Sequence, residues 1–391
     1  MTQSALKSAT TPDFAALRAR FPIFAHRAYI NSCSYGALSI DVEAALGAYM
    51  QSRIDKGSDW GAWVGKAETV RALLARLVNC DADEMAVTSS VSESVNNLAS
   101  AFDFSAGRHE IVLTDFDFPT TSQIWLARER SGALVKRAKA DASGAAIPLS
   151  EFDKLITDKT LLVSIPLVCY RNGAMLDVRP IVELARSRGA KVLLDAYQAI
   201  GSMPIDVRSL GVDFLVGGTL KYLIGGAGVG FLFVRDATST DLTPVNSGWF
   251  AQEDVNAMDI YHNKPSPTAR RFESGTPNVP GMYVAEAGLN LILNVGLDHI
   301  RRRVVALSED IAARSQKAGW RIIGEADACA RGAMTAIKCA DAPALVHRLS
   351  EKGITVSDRD GNLRISPHFY NNEEDIDRLF RALKTEQALI A

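Results

Sequence analysis

The pattern of apolar and polar positions changes character near residue 280. From about Glu84 to Val234, short apolar runs alternate with helix-like segments. "MAVTSS" (85–90), "EIVLTD" (110–115), "LLVSIPLV" (161–168), "KVLLDA" (191–196), "DFLVGG" (213–218) and "GFLFV" (230–234) have the length and continuity of buried strands. Segments such as "ESVNNLASAF" and "DVRPIVELARSRG" lie between them. Apolar strands separated by helices predict an α/β domain whose mostly parallel sheet is covered on both faces. Ligands in such sheets bind beyond the carboxyl ends of the strands, so chemistry is sought there.

Beyond Pro280 a long helical run, 282–319, leads into short strands near "WRIIG", "AMTAIK", "GITVS" and "NLRIS". These mix with helices near 342–352 and 373–388, which predicts a smaller α+β domain. The expected organisation is an N-terminal segment (1–40) packing near the small domain, a large domain (41–280) and a small C-terminal domain (281–391).

Composition narrows the class. At 391 residues the chain is long enough for two cores. With 43 basic and 45 acidic residues, its formal charge of −2 argues against a dedicated nucleic-acid binder. No run of 18 apolar residues occurs, so no membrane span is expected. The five cysteines are scattered without a C-x-x-C pair, which fits reduced thiols and offers no metal-ligand spacing. The N-terminal stretch "MTQSALKSATTPDFAALRARF" lacks the basic and apolar parts of a signal peptide, so a cytoplasmic location is expected.

The stretch "GGTLKYLIGGAGVGFLFV" (217–234) carries the first candidate. Its glycines run into a strand rather than a helix, and Lys221 precedes Tyr222 rather than serine or threonine, so neither a dinucleotide fingerprint nor a Walker loop fits. Lys221 is then either a turn lysine on the surface or, in a desolvated site, an amine able to form a Schiff base. "KVLLDAYQAIG" places Asp195 at the end of a buried strand, as a helix cap or as the carboxylate that a pyridoxal phosphate ring requires at its pyridine nitrogen. Gln198 follows one turn later, where it would reach the ring's phenolic oxygen. In "TSSVSESVNNLASAF", Ser89, Ser90 and Ser92 open an amphipathic helix, as a plain N-cap or as a phosphate site. Arg364, in "GNLRISPHFYNNEEDIDRL", is either a carboxylate clamp or an ion-pair partner of Glu373 or Glu374.

In this order the segments resemble the class V aminotransferase group of fold-type I pyridoxal phosphate enzymes. That group includes aminotransferases, cysteine desulfurases, selenocysteine lyases, kynureninases and isopenicillin N epimerase-like enzymes. The resemblance runs from "YINSCSYGAL" to "RISPHFYNNEEDIDRL" and is most specific in "LLDAYQAIG" with "VDFLVGGTLKYLIGGAGVGFLFV". It implies pyridoxal 5'-phosphate as cofactor, Lys221 as the Schiff-base lysine, Asp195 at the ring nitrogen and Gln198 at the phenolic oxygen. It further implies Val91 and Ser92 as the phosphate turn, Thr219 as a cofactor contact, and Phe118 (in "DFDFPTTSQIW") covering the ring. Trp249 ("SGWF") would reach a cofactor phosphate, and Thr276 ("FESGTPN") the phosphate of the partner subunit, implying a homodimer with shared sites. Arg364 would clamp the α-carboxylate of a small amino-acid substrate, with Asn31 beside it.

The departures shape the expected activity. "GITVSDRDGNLRIS" carries no cysteine where desulfurases place their persulfide-forming one, so cysteine desulfurase is not expected. Leu220 precedes the lysine where desulfurases have histidine and kynureninases tyrosine. An aminotransferase is the expected activity, with a Cβ lyase or an epimerase as the alternative. A nicotinamide-dependent oxidoreductase and a catalytically retired binding module are the readings from other classes. Lys221, Asp195 and Arg364 together speak against the second.

Overall fold

The computed structural model describes residues 11–325 and 327–391. Part of the N-terminal stretch read above, residues 1–10, lies outside them. The large domain is built on seven strands: β1 (Met85–Thr88), β2 (Glu110–Thr114), β3 (Leu134–Ala138), β4 (Thr160–Pro166), β5 (Lys191–Asp195), β6 (Phe214–Gly218) and β7 (Gly230–Val234). Their spatial order is β1-β7-β6-β5-β4-β2-β3. Every pairing is parallel except the two made by β7, which runs antiparallel to β1 and β6. The fold is thus the helix-covered α/β sheet expected. Residues of β6 and β7 are fully or almost fully buried, as a sheet packed on both faces requires. Each buried Leu, Val or Phe there contributes roughly 1.5–3 kcal/mol of burial energy.

β3 has no counterpart among the apolar runs. Its sequence, Leu-Val-Lys-Arg-Ala, occupies a sheet edge and is only partly buried. Lys136 pairs with Glu110 of β2 at 2.7 Å, and Arg137 donates to the Thr114 carbonyl at 2.6 Å. An edge strand tolerates such charges because one side faces solvent, and the charges hide the apolar signal.

The helical run after Pro280 is two helices, Val279–Val295 and Leu297–Lys317. Gly296, at φ +85°, separates them, a backbone angle that favours glycine. The first packs on helices Ile40–Lys56 and Trp60–Val78 of the large domain and buries Met282, Ala285, Leu289 and Ile292 in its core. Further along, Leu307 and Ile311 of the second helix join the small-domain cluster.

The small domain holds an antiparallel sheet of β8 (Ile322–Ile323), β9 (Thr335–Lys338), β10 (Ser357–Arg359) and β11 (Asn362–Ile365), in the order β10-β11-β9-β8. The segment Ile354–Thr355 pairs instead, in parallel, with Ala28–Tyr29 from the N-terminal region. Arg18 forks onto Asp375, and the Ser32 backbone N–H donates to the Ser366 carbonyl. This route carries Asn31 and Cys33 from the N-terminal segment to the junction of the two domains.

Candidate active site

Lys221 owes its position to close backbone approaches. β6 ends in Gly217 and Gly218, where a Cβ would lie 2.5 Å from the Phe231 ring and 2.8 Å from the Tyr197 ring. The chain then turns: Thr219 N–H donates to the Val229 carbonyl and Ile224 N–H to that of Lys221. Gly36 donates to the Leu220 carbonyl, and a Cβ on it would stand 2.4 Å from the Lys221 carbonyl oxygen. On the far side, His368 Nε2 lies 2.7 Å from the Tyr222 carbonyl, while its Nδ1 accepts from the Phe369 N–H at 2.8 Å. This pairing assigns a neutral ring with its proton on Nε2, and full burial pushes its pKa down to about 4.

The Lys221 ammonium faces the Tyr197 ring at 4.6 Å and the Phe118 ring at 5.8 Å. Burial is the main influence on it and lowers its pKa from 10.5 to about 8. Cys33 and Asp195 pull the value back up, whereas the positive charges of Arg364 and Arg359 lower it. Asp195 lies in the same cleft with Phe116, Pro166, Val168 and Gln198. Its Oδ1 accepts from the Tyr197 N–H at 2.9 Å, and among the described residues nothing donates to Oδ2. Burial raises the Asp195 pKa, opposed by that N–H and by Lys221.

Gln198 donates through Nε2 to the Cys33 carbonyl at 3.1 Å, and among the described residues its buried Oε1 has no partner. Asn31 Oδ1 and Arg364 Nε are likewise buried and unpartnered. Three such atoms on segments that meet at Lys221 mark a site built for a polar guest, because an unpaired buried polar atom costs about 1–3 kcal/mol. At the end of β1, Ser90 caps helix Val91–Ala99 by accepting from Glu93 N–H, leaving the N–H groups of Val91 and Ser92 free of helix partners. Ser92 Oγ points toward Thr120 Oγ1, 3.5 Å away. Phe118 immediately precedes the helix that contains Thr120, and its ring packs edge-on to Tyr170 at 5.0 Å.

Arg364 is 4% exposed, donates to the Tyr170 carbonyl at 2.8 Å and to Ser357 Oγ at 3.0 Å. Among the described residues Arg364 makes no ion pair with Glu373 or Glu374, and Glu373 is taken by Arg303 at 2.7 Å. Two expected cofactor contacts are engaged elsewhere, and Thr276, expected to face a partner subunit, stands at the surface. Thr219 turns its hydroxyl into its own loop, toward the Gly226 carbonyl at 3.0 Å. Trp249 donates its indole N–H to the Val255 carbonyl at 2.7 Å and packs against Trp60. Thr276 is exposed on a loop and lines a separate cavity with Ser89, Glu93 and Arg71.

Sequence reading overlooked four residues of this site. Tyr197 lies within "DAYQAIG", and its ring is what a side chain at Gly218 would strike. Tyr170 follows β4 and was discoverable by the rule that strand ends carry function. Cys33, whose Sγ lies 3.9 Å from Ser357 Oγ, and His368 reach Lys221 only through tertiary pairing.

A family model described as aminotransferase class-V matches residues 61–379. The chain belongs to this family. It is accordingly a pyridoxal phosphate-dependent enzyme. Among curated relatives, an uncharacterized aminotransferase, YcbU of Bacillus subtilis, is 33% identical over 92% of this chain and 94% of its own. A kynureninase of Geobacillus thermodenitrificans is 26% identical over 91% and 87%. Among solved structures, an apo cysteine desulfurase from Thermococcus onnurineus superposes with a TM-score of 0.85 at 21% identity, covering 98% of this chain and 99% of that one. At that identity the likeness establishes the class V fold and nothing finer. Among the described residues, no helix is long and apolar enough to cross a membrane.

Proposed function

We propose that this class V enzyme is an aminotransferase acting on a small amino acid. The observation that carries the reading is the desolvated Lys221 amine in one cleft with Asp195, with the Arg364 guanidinium at Tyr170 of the same cleft, a carboxylate and a guanidinium with opposite tasks. When bound, pyridoxal phosphate supplies an aldehyde for amines and an electron-accepting ring. The residues fit it: the free N–H groups of Val91 and Ser92 would hold its phosphate, Asp195 Oδ2 would accept from its ring nitrogen, and Gln198 retains a second amide N–H for its phenolic oxygen. Phe118 would cover the ring.

With a pKa of about 8, roughly a tenth of the Lys221 amine is uncharged at pH 7, against well under a thousandth for an exposed lysine. An uncharged amine is the form that attacks a carbonyl and that takes a proton from a substrate α-carbon. Arg364 fixes the α-carboxylate, which sets which face of the substrate meets Lys221. Transfer is favoured over desulfuration because the 353–362 turn carries no thiol and Cys33 is buried with its sulfur toward Ser357. The aminotransferase name of the B. subtilis relative agrees. The kynureninase relative and Phe118 keep Cβ cleavage as the second reading.

The test is incubation of purified enzyme with a panel of amino acids, following keto acid and pyridoxamine phosphate together. Stoichiometric pyridoxamine phosphate supports transfer; pyruvate or alanine released without it overturns transfer in favour of a lyase. A protein whose cofactor absorbance is the same in Lys221→Ala overturns the role of the lysine.

We also infer a homodimer. Leu46, Met50 and Ile54 recur at four-residue spacing along helix Ile40–Lys56, are 45–74% exposed, and continue into exposed Leu38, Ile40 and Trp60. An apolar stripe of this extent favours a protein partner. Thr276, on an exposed loop, is free to face a second copy. Sedimentation of Met50→Glu as a monomer would support the dimer, and a monomeric wild type would refute it.

A further inference from the structure

The hairpin that supplies Arg364 presents a second arginine to the same cleft. In the β10–β11 pair, Ser357 stands opposite Arg364 and Arg359 opposite Asn362. Leu363 and Ile365 are fully buried in the small-domain core together with Val356. Side chains alternate along a strand, so Ser357, Arg359, Asn362 and Arg364 share the other face, the one from which Arg364 reaches Tyr170. On that face Arg359 is the diagonal neighbour of Arg364, about 7–8 Å away along the sheet and within reach of long side chains.

The two arginines differ in how they are used. Arg364 has two of its nitrogens engaged and is buried. The Arg359 guanidinium is exposed and, among the described residues, has no ion pair and no hydrogen bond. The nearby acid, Asp360, faces Arg171 at 3.7 Å. Asp358 falls on the opposite face of the strand by alternation. An exposed arginine is ordinarily only solvated, but this one shares the strand face of Arg364, and the adjoining Asp360 faces Arg171, which sits against the ring of Tyr170 at the wall of the Lys221 cleft. One arginine suffices for the α-carboxylate of an amino acid. With Arg171 engaged by Asp360, the mouth therefore carries in Arg359 a positive group without an acidic partner among the described residues, in excess of what a neutral side chain needs.

We propose that Arg359 is a second carboxylate-binding group, so that the preferred substrate is an amino acid whose side chain ends in a carboxylate. The proposal rests on the reading of the Lys221 cleft as an amino-acid site. The test uses the holoenzyme. Glutamate, aspartate and their amide counterparts glutamine and asparagine are titrated in turn, and half-saturation is read from the near-visible absorbance of the cofactor. Wild type is expected to bind the acids about tenfold more tightly than the amides, the value of one charge-assisted hydrogen bond, and to lose part of that preference in high salt. Arg359→Gln is expected to remove the preference, and Arg359→Lys to keep most of it. A wild type without preference for acids, or an Arg359→Gln variant that retains it, overturns the assignment while leaving the amino-acid reading in place. A cofactor band that responds to no amino acid overturns both.

Discussion

Replacing Lys221 with methionine should stabilise the protein once the cofactor is removed. The amine is buried in the folded chain and solvated in the unfolded one. Its proton is held up to about pH 8 in the fold, against 10.5 in a free lysine. Below pH 8 both states are charged, and the folded state bears the whole cost of an ammonium in a desolvated cleft. Between pH 8 and 10.5 the unfolded chain binds more protons, so stability rises with pH until the cost disappears. A fall from 10.5 to about 8 corresponds to roughly 3 kcal/mol. That difference is net of the pull of Asp195, which already offsets part of the cost of burial. Urea unfolding of the apo proteins at matched concentration should therefore show Lys221→Met ahead by roughly 2–3 kcal/mol near pH 7. The two curves should converge near pH 10.5. A variant no more stable than wild type at pH 7, or a gap that persists at pH 10.5, would refute the account of a lysine strained by burial.

Two further outcomes follow from the packing around the site. Arg71 is 4% exposed and held by Glu68 and Glu273, the latter also accepting from the Val87 N–H of β1; Glu273→Gln should cost about 3–5 kcal/mol, measured by urea unfolding, because it leaves a buried guanidinium underpaired. Gly36→Ala would push a methyl onto the Lys221 carbonyl; a loss of about 1–3 kcal/mol in stability is expected together with weakened cofactor retention, read by absorbance after gel filtration.

Much of the fold was legible because its signals are local. Six of the seven large-sheet strands are apolar runs bounded by turn residues, and a strand buried on both faces has no other way to be written. β3 escaped because an edge strand can carry Lys136 and Arg137, and the reversed direction of β7 is set by a connection rather than by its own residues. The break at Gly296 was visible as a glycine but not as a break, since a single glycine inside a helical pattern is often tolerated.

The sequence by itself determined which residues stand at the ends of the parallel strands, and hence Asp195, Lys221, Phe118 and the serine-rich start of helix Val91–Ala99. Each follows directly from a strand whose periodicity is read within a few residues. Only the tertiary structure decided what those residues do to one another. His368 and Gly36, at 147 and 185 positions from Lys221, grip its turn because the N-terminal segment and the loop after β11 pack against the large domain. The same packing gives Arg364 to Tyr170 rather than Glu373, turns the Thr219 hydroxyl into its own loop, and occupies the Trp249 indole. A side chain's partner depends on which distant segments desolvate it, and that information resides in the folded core rather than in any local stretch of sequence.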